Sequence, residues 1–372
     1  MFADTVRSPE LRHEVPHAVA DRFLYGEHDG RRFTVVRSLE VARMSEIANL
    51  EVLPFEELGL DELLAAGRSH EEVQLEIAVR VCERFGIARA SVPADFPVEL
   101  ADHLRAAGID LTVERALFAA RRRSKNEAEI AGIRRATRAA EAGTRAVAEL
   151  LRRSEAVDGR VLLDGAPLTS ERLKIGVAEA FTANDATADE FIVAHGFQTC
   201  VGHHMGSGEI GYGEPITVDL WPRDRESACY TDMTRTFVVG PVNDELQEYH
   251  RLCKQALEES VAAVRPGVRA SELHRIAAQV FEDAGQRTQL SKQPGEVLLD
   301  GFFHSLGHGV GLEVHELPHL DRSGGELVPG DVIAMEPGCY RQGFGGVRLE
   351  DLVLVTDDGH EVLTDFPYDL QP

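Results

Sequence analysis

The sequence predicts a mixed α/β chain of two domains, and three observations carry that prediction. Its 372 residues exceed a single ordinary domain of roughly 150 residues. Amphipathic helical stripes alternate with short apolar runs of strand length. With 43% hydrophobic and 27% charged residues, the composition suits a folded chain with a sizeable core, not a disordered one.

The elements follow in order. Phe23-Leu24-Tyr25 and Phe33-Thr34-Val35-Val36 flank His28-Asp29-Gly30, and an Asp-Gly pair between two apolar runs predicts a hairpin. A helix is expected over 71–85, where Val73, Leu75, Ile77, Ala78, Val81 and Cys82 recur at helical spacing, before a polar linker with Pro93 and Pro97. These form a small α/β domain ending near residue 118. Arg121-Arg122-Arg123-Ser124-Lys125 reads as a solvated edge between domains rather than an anion site. A long helix over 127–153 comes next, with Ile130, Ile133, Ala136, Ala140, Val147 and Leu150 or Leu151 on one stripe.

Beyond it, a helix near 170–181 precedes the apolar run Phe191-Ile192-Val193-Ala194. Residues 216–220 read as a buried strand, with 229–239 as its hairpin partner. A helix over 243–264 stops before Pro266-Gly267, and another over 271–284 is expected to open on Ser271 as its N-cap and end at Gly285. From Gly301 the chain is rich in glycine and histidine, with strand-like segments at 332–335, 346–349 and 352–356.

Acidic residues outnumber basic ones 63 to 39, a net charge of −24. Such a surface repels phosphate backbones and anionic lipid, so neither nucleic acid nor a membrane is expected as a partner. The five cysteines, Cys82, Cys200, Cys229, Cys253 and Cys339, form no CxxC pair, which favours a reducing compartment. No secretory apolar core opens the chain and no run of about 18 apolar residues occurs, so a cytoplasmic location is expected.

Chemistry is suggested by acids in the wrong places. Asp219 and Asp232 sit on adjacent apolar strands, where a buried carboxylate needs a counter-charge because leaving it unpaired costs several kcal/mol. His308, within His304-Ser305-Leu306-Gly307-His308-Gly309-Val310-Gly311-Leu312-Glu313-Val314-His315, shares the oddity. So do Glu336, in Met335-Glu336-Pro337-Gly338, and Glu350, in Arg348-Leu349-Glu350-Asp351. Singly each has a bland structural explanation, a salt-bridged strand acid or a hydrogen-bonded histidine. Together, four carboxylates and one imidazole would hold two divalent cations. His315-Glu316-Leu317-Pro318-His319 also spells HExxH, but Pro318 opposes the helix that a zinc site of that type requires.

In this order, the Thr231-Asp232-Met233-Thr234-Arg235 segment, the Gly-His-Gly-Val-Gly-Leu-Glu-Val-His-Glu run, Glu-Pro-Gly and Arg-Leu-Glu-Asp resemble the prolidase and aminopeptidase P family of M24 "pita-bread" metallopeptidases. The resemblance implies a creatinase-like N-terminal α/β domain over 1–120 and a pita-bread catalytic domain over 121–372. It further implies that Asp219 binds one metal, that His308 and Glu336 bind the other, and that Asp232 and Glu350 bridge them. Carboxylates with one imidazole suit Mn²⁺ best, with Co²⁺, Fe²⁺ or Zn²⁺ as other candidates. Glu336 is similar to the ligand that doubles as general base, His315 to the donor to the scissile carbonyl, and His304 to the histidine beside the following position. His203, with His204 as its alternative, resembles a substrate-side histidine, and Arg348 is expected to pair with a metal-site carboxylate.

The activity so implied is hydrolysis of the bond between an N-terminal residue and proline, by a Xaa-Pro dipeptidase or aminopeptidase acting on proline-containing peptides, as a homodimer. Its rivals are a dinuclear hydrolase of another amide, a non-enzymatic binding module on the same fold, and a metal-free creatinase-type C–N hydrolase. The chain departs from the family pattern in a longer hairpin tip at 221–227, which could reshape the pocket, and in the stretch 286–300, expected as a lid or a dimer contact.

Overall fold

Asp29 and Gly30, at φ of 49° and 72°, close a two-residue turn between the antiparallel strands Phe23–His28 and Arg31–Val36, as Asp-Gly favours. That hairpin is the centre of the first of two units, Met1–Arg122, in the computed structural model, which describes residues 1–372. Its four-stranded sheet adds Phe2–Ala3 on one edge and, in parallel, Leu50–Pro54 on the other. The helix His70–Phe85 is fixed at its start by a reciprocal bond pair between Ser69 and Glu72 and ends at Gly86, which adopts the left-handed conformation. It buries Val73, Ile77 and Val81 against Phe33, Val35 and Leu53. A second sheet pairs Arg89–Val92 in parallel with Asp110–Val113.

The second unit, Arg123–Pro372, holds the site. Its long helix, Glu127–Arg152, is capped by Asn126 and buries an alanine-rich face, including Ala136, Ala139, Ala140 and Val147. Helices Ser170–Ala183, Asp244–Ala262 and Ala270–Asp283 follow. Ser271 is not the N-cap of the last one: the helix starts one residue earlier, after Arg269, with no side-chain cap. Three strands, Ile192–His195, Pro215–Leu220 and Met233–Val238, form one antiparallel sheet. Five, in the order Glu316–Leu320, Gly307–Gly309, Val332–Met335, Asp351–Val355 and His360–Val362, form another. A hairpin of Gly338–Arg341 with Gly345–Arg348 lies in sequence between Val332–Met335 and Asp351–Val355 of the latter sheet. The sheets are joined where the Glu350 amide donates to the Thr234 carbonyl at 3.1 Å and the Thr236 hydroxyl donates to the Arg348 carbonyl at 3.0 Å.

Several expectations are corrected here. The basic cluster is a solvated edge only in part: Arg121 and Ser124 are exposed, but its other cations are held in ion pairs. The Lys125 ammonium meets Glu316 at 2.5 Å with both side chains buried, and Arg123 chelates Asp331. The partner strand of 215–220 starts at Met233, not Cys229, because residues 223–224 leave to pair with Ala186–Thr187. That diversion absorbs the longer tip. Arg135 clamps Asp224 with two 2.8 Å bonds, and the register from Pro215↔Val238 to Leu220↔Met233 is unbroken. Residues 286–300 carry no regular element and are tied to themselves by a two-bond pair between Arg287 and Glu296. No helix is long and apolar enough to cross a membrane.

Candidate metal centre

Side chains alternate across a strand, so Thr217 and Asp219 project from one face of Pro215–Leu220. All six residues of that strand are buried, which is why a carboxylate on it stands out. Asp232 stands immediately before Met233–Val238, and Thr234 lies opposite Asp219. From the five-stranded sheet, His308 occupies the middle of Gly307–Gly309, Glu336 follows Val332–Met335 directly, and Glu350 directly precedes Asp351–Val355. Strand ends therefore aim these groups from two sheets into one cavity of about 740 Å³, which all five line.

Within it, the ligating atoms of Asp232, His308 and Glu350 lie within 4.8 Å of one another. His308 Nε2 stands 3.8 Å from Asp232 Oδ2 and 3.9 Å from Glu336 Oε1. Its Nδ1 lies 3.1 Å from the Gly309 carbonyl, which can only accept, so the proton sits on Nδ1 and the Nε2 lone pair faces the carboxylates. Burial pushes this imidazole down to about 4, with His315 beside it adding to the shift, so it is neutral near pH 7. Burial pushes Asp232 and Glu350 well above the usual carboxylate range, reinforced by the neighbouring acids, and lifts Glu336 to about 8 despite Arg348. Asp232 Oδ1 is buried with no hydrogen-bond partner. Acids so destabilised, an orphaned carboxylate oxygen and a lone pair pointed among them fit divalent cations.

A second ring of groups surrounds this set. Arg348 donates to Asp219 Oδ2 at 2.5 Å, to Thr234 Oγ1 at 3.3 Å and to the Tyr340 hydroxyl at 3.1 Å. Tyr340 reaches His304 Nε2 at 3.0 Å, while His304 Nδ1 bonds the Ser305 carbonyl at 2.8 Å. Since that carbonyl fixes the proton on Nδ1, Tyr340 is the donor to Nε2. Burial, with Arg348 nearby, keeps His304 neutral, pushed down to about 3. Thr234 Oγ1 donates to Glu350 Oε2 at 2.7 Å. His315 lines the cavity, its ring 4.2 Å from that of His308. His203 lines it too, whereas His204 turns Nδ1 to the Gly206 amide. Glu316 of the HExxH string pairs with Lys125, and Glu316–Leu320 is a strand, so the string forms no zinc helix.

The structure thus brings all nine sequence-derived site residues, Asp219, Asp232, His308, Glu336, Glu350, His203, His304, His315 and Arg348, to one cavity. Sequence reading missed Tyr340 and Thr234, which orient them. Thr234 had a usable signal, being the strand residue two beyond Asp232 and so on the same face. Tyr340 had none, since its role arises from the hairpin that carries Arg348 beside it. Glu190 and His319 also line the cavity unannounced, as does Trp221 of the longer tip expected to reshape it.

Comparison with known proteins agrees with this geometry. The chain is 36% identical over 183 residues to a Xaa-Pro dipeptidase of Pyrococcus furiosus, a match that spans 48% of this chain and about half, 47%, of that relative. The solved prolidase from Pyrococcus furiosus superposes with a TM-score of 0.75 at 24% identity, covering 98% of this chain and 96% of that one. An X-Pro aminopeptidase from Thermotoga maritima superposes at 0.77 and 20% identity, covering 99% and 95%. At those identities the two structures speak for the shared two-domain pita-bread fold. The model of metallopeptidase family M24 matches residues 131–357, the stretch that carries every ligand candidate, and the chain belongs to that family.

Proposed function

We propose that the protein is a metal-dependent exopeptidase that hydrolyses the bond between an N-terminal residue and proline, with Asp219, Asp232, His308, Glu336 and Glu350 holding two divalent cations, Mn²⁺ by preference. The observation that carries the proposal is the convergence of four carboxylates and one Nε2-free histidine on a single cavity. The relatives named Xaa-Pro dipeptidase support proline as the residue after the scissile bond.

The chemistry such a cation pair supplies when bound is Lewis acidity toward a water and a carbonyl oxygen. The protein's own groups do the rest. Glu336, on the cavity wall beside His308, accepts the proton of the attacking water and returns it to the leaving proline nitrogen. His315 donates to the carbonyl oxygen as negative charge develops there. His304, locked as a neutral acceptor and donor by Tyr340 and Ser305, borders the proline side. Arg348 fixes Asp219, and its positive charge also favours the ionised forms of Glu336 and Glu350. A proline nitrogen carries no N–H, so a pocket for it needs shape and a proton donor rather than an amide acceptor.

The test is a panel of Xaa-Pro and Xaa-Ala dipeptides and Xaa-Pro-Xaa tripeptides, run on metal-stripped and Mn²⁺-reconstituted full-length protein. Mn²⁺-dependent cleavage of Xaa-Pro substrates is expected, and dipeptides against tripeptides separate dipeptidase from aminopeptidase. Cleavage of Xaa-Ala with no preference for proline, or no cleavage with metal restored, would overturn the reading.

A further inference from the structure

Asp219 pairs with Ile192 in the antiparallel ladder of Pro215–Leu220 with Ile192–His195. Two residues beyond Ile192 and Asp219, past the recorded ladder, that register brings Glu190 to the level of Trp221, and both line the cavity of the metal centre. Two residues of extended chain cover roughly 7 Å, so Trp221 lies about that far along the chain from Asp219. Glu190 is exposed and makes no hydrogen bond or ion pair, and the indole N–H of Trp221 has no partner either. Trp221 is the single tryptophan of the chain, and it opens the longer hairpin tip pinned by Arg135. A free carboxylate that lines the same cavity as an aromatic ring can receive a cation on a flexible stem, by charge and by the ring's π face.

Resting on the proposed function, we infer that Glu190 and Trp221 form the subsite for the side chain of the N-terminal residue and select a basic one, lysine or arginine. The substrate's α-ammonium sits one carbon from the scissile carbonyl and must stay by the metal ligands. A side-chain cation reaches outward by about the distance that separates Asp219 from this pair. Glu190 and Trp221 are therefore specificity residues, not catalytic ones.

The experiment compares Lys-Pro with norleucine-Pro, equal in chain length but neutral, in the Mn²⁺-loaded full-length enzyme. The expected kcat/KM preference for Lys-Pro is about tenfold, falling at least severalfold in Glu190→Gln through KM, and turning toward Glu-Pro in Glu190→Lys. An equal loss on both dipeptides in Glu190→Gln would assign Glu190 to the common α-ammonium or to the scaffold and overturn the inference, as would a wild type with no preference. Fluorescence of the single tryptophan gives a readout independent of turnover. Titration with Lys-Pro should change it at lower concentration than norleucine-Pro, and high salt should erase the difference. Should no Xaa-Pro peptide be cleaved at all, the proposed function fails, and this titration still decides whether the pair receives a cation.

Discussion

The Arg348 guanidinium donates to Asp219 Oδ2 across 2.5 Å while its other nitrogens reach Tyr340 and Thr234. One fork thus orients a candidate ligand and, through Tyr340, the His304 ring. Both side chains of the Arg348–Asp219 pair are largely buried, so the geometry is held by a fixed network rather than by a surface ion pair.

Arg348→Lys keeps the charge and loses the fork. Metal affinity or turnover should fall about 10–100-fold, the range for groups that orient ligands, with the circular dichroism spectrum retained. Calorimetric Mn²⁺ titration beside peptide kinetics measures both, and wild-type values in both would remove Arg348 from the site.

His315→Ala should keep its metals and lose about 10²-fold or more in turnover, as expected for a donor to a developing oxyanion. Metal content by mass spectrometry with kcat on Leu-Pro checks it. A variant that loses its metals instead would make His315 a ligand-positioning group.

Lys125→Met leaves the buried Glu316 carboxylate without its ammonium. Removing one partner of a buried pair costs about 3–5 kcal/mol, so the urea midpoint should drop clearly, and Lys125→Met with Glu316→Leu should recover much of it. Equal midpoints for the single variant and wild type would return Lys125 to the solvated role first expected of the basic cluster.

His195 Nδ1 and Glu214 Oε2 meet at 2.8 Å. Burial lowers the His195 pKa, but the bonds from Glu214 and the Ser207 carbonyl outweigh it and leave the imidazole raised above 6.5. Glu214 is held below 4.5, chiefly by His195. A raised histidine stabilises fully below 6.5 and loses that contribution as pH rises through its folded value. A lowered glutamate stabilises above 4.5 and loses it as pH falls through its own. The pair's contribution therefore peaks between these two values. The Tm difference between wild type and His195→Gln should be largest near pH 5.5 and shrink toward pH 8, and a difference that grows toward pH 8 contradicts the assignment.

Much of this was legible in the sequence because buried acids break a strand's apolar pattern: Asp219 in Ile216-Thr217-Val218-Asp219-Leu220 declares itself with no structure at hand. Helix limits were legible within a residue or two where a glycine closes them, as at Gly86. Gly307–Gly309 and Glu316–Leu320 escaped, since glycine, histidine and proline are poor strand formers and only the pairing of Gly307–Gly309 with Glu316–Leu320 on one side and Val332–Met335 on the other makes them a sheet. Lys125–Glu316 escaped because a pair 191 residues apart has no local signal. The candidate catalytic histidines needed the resemblance, since a loop histidine carries no periodicity.

Five side chains are proposed to hold two cations. The most direct measurement is metal stoichiometry, by mass spectrometry after Mn²⁺ loading and desalting, of wild type beside Asp232→Asn. Two ions per wild-type chain, with at least one lost and activity abolished in the variant, is the predicted result. Two ions retained with full activity in Asp232→Asn, or none bound by the wild type, would contradict it.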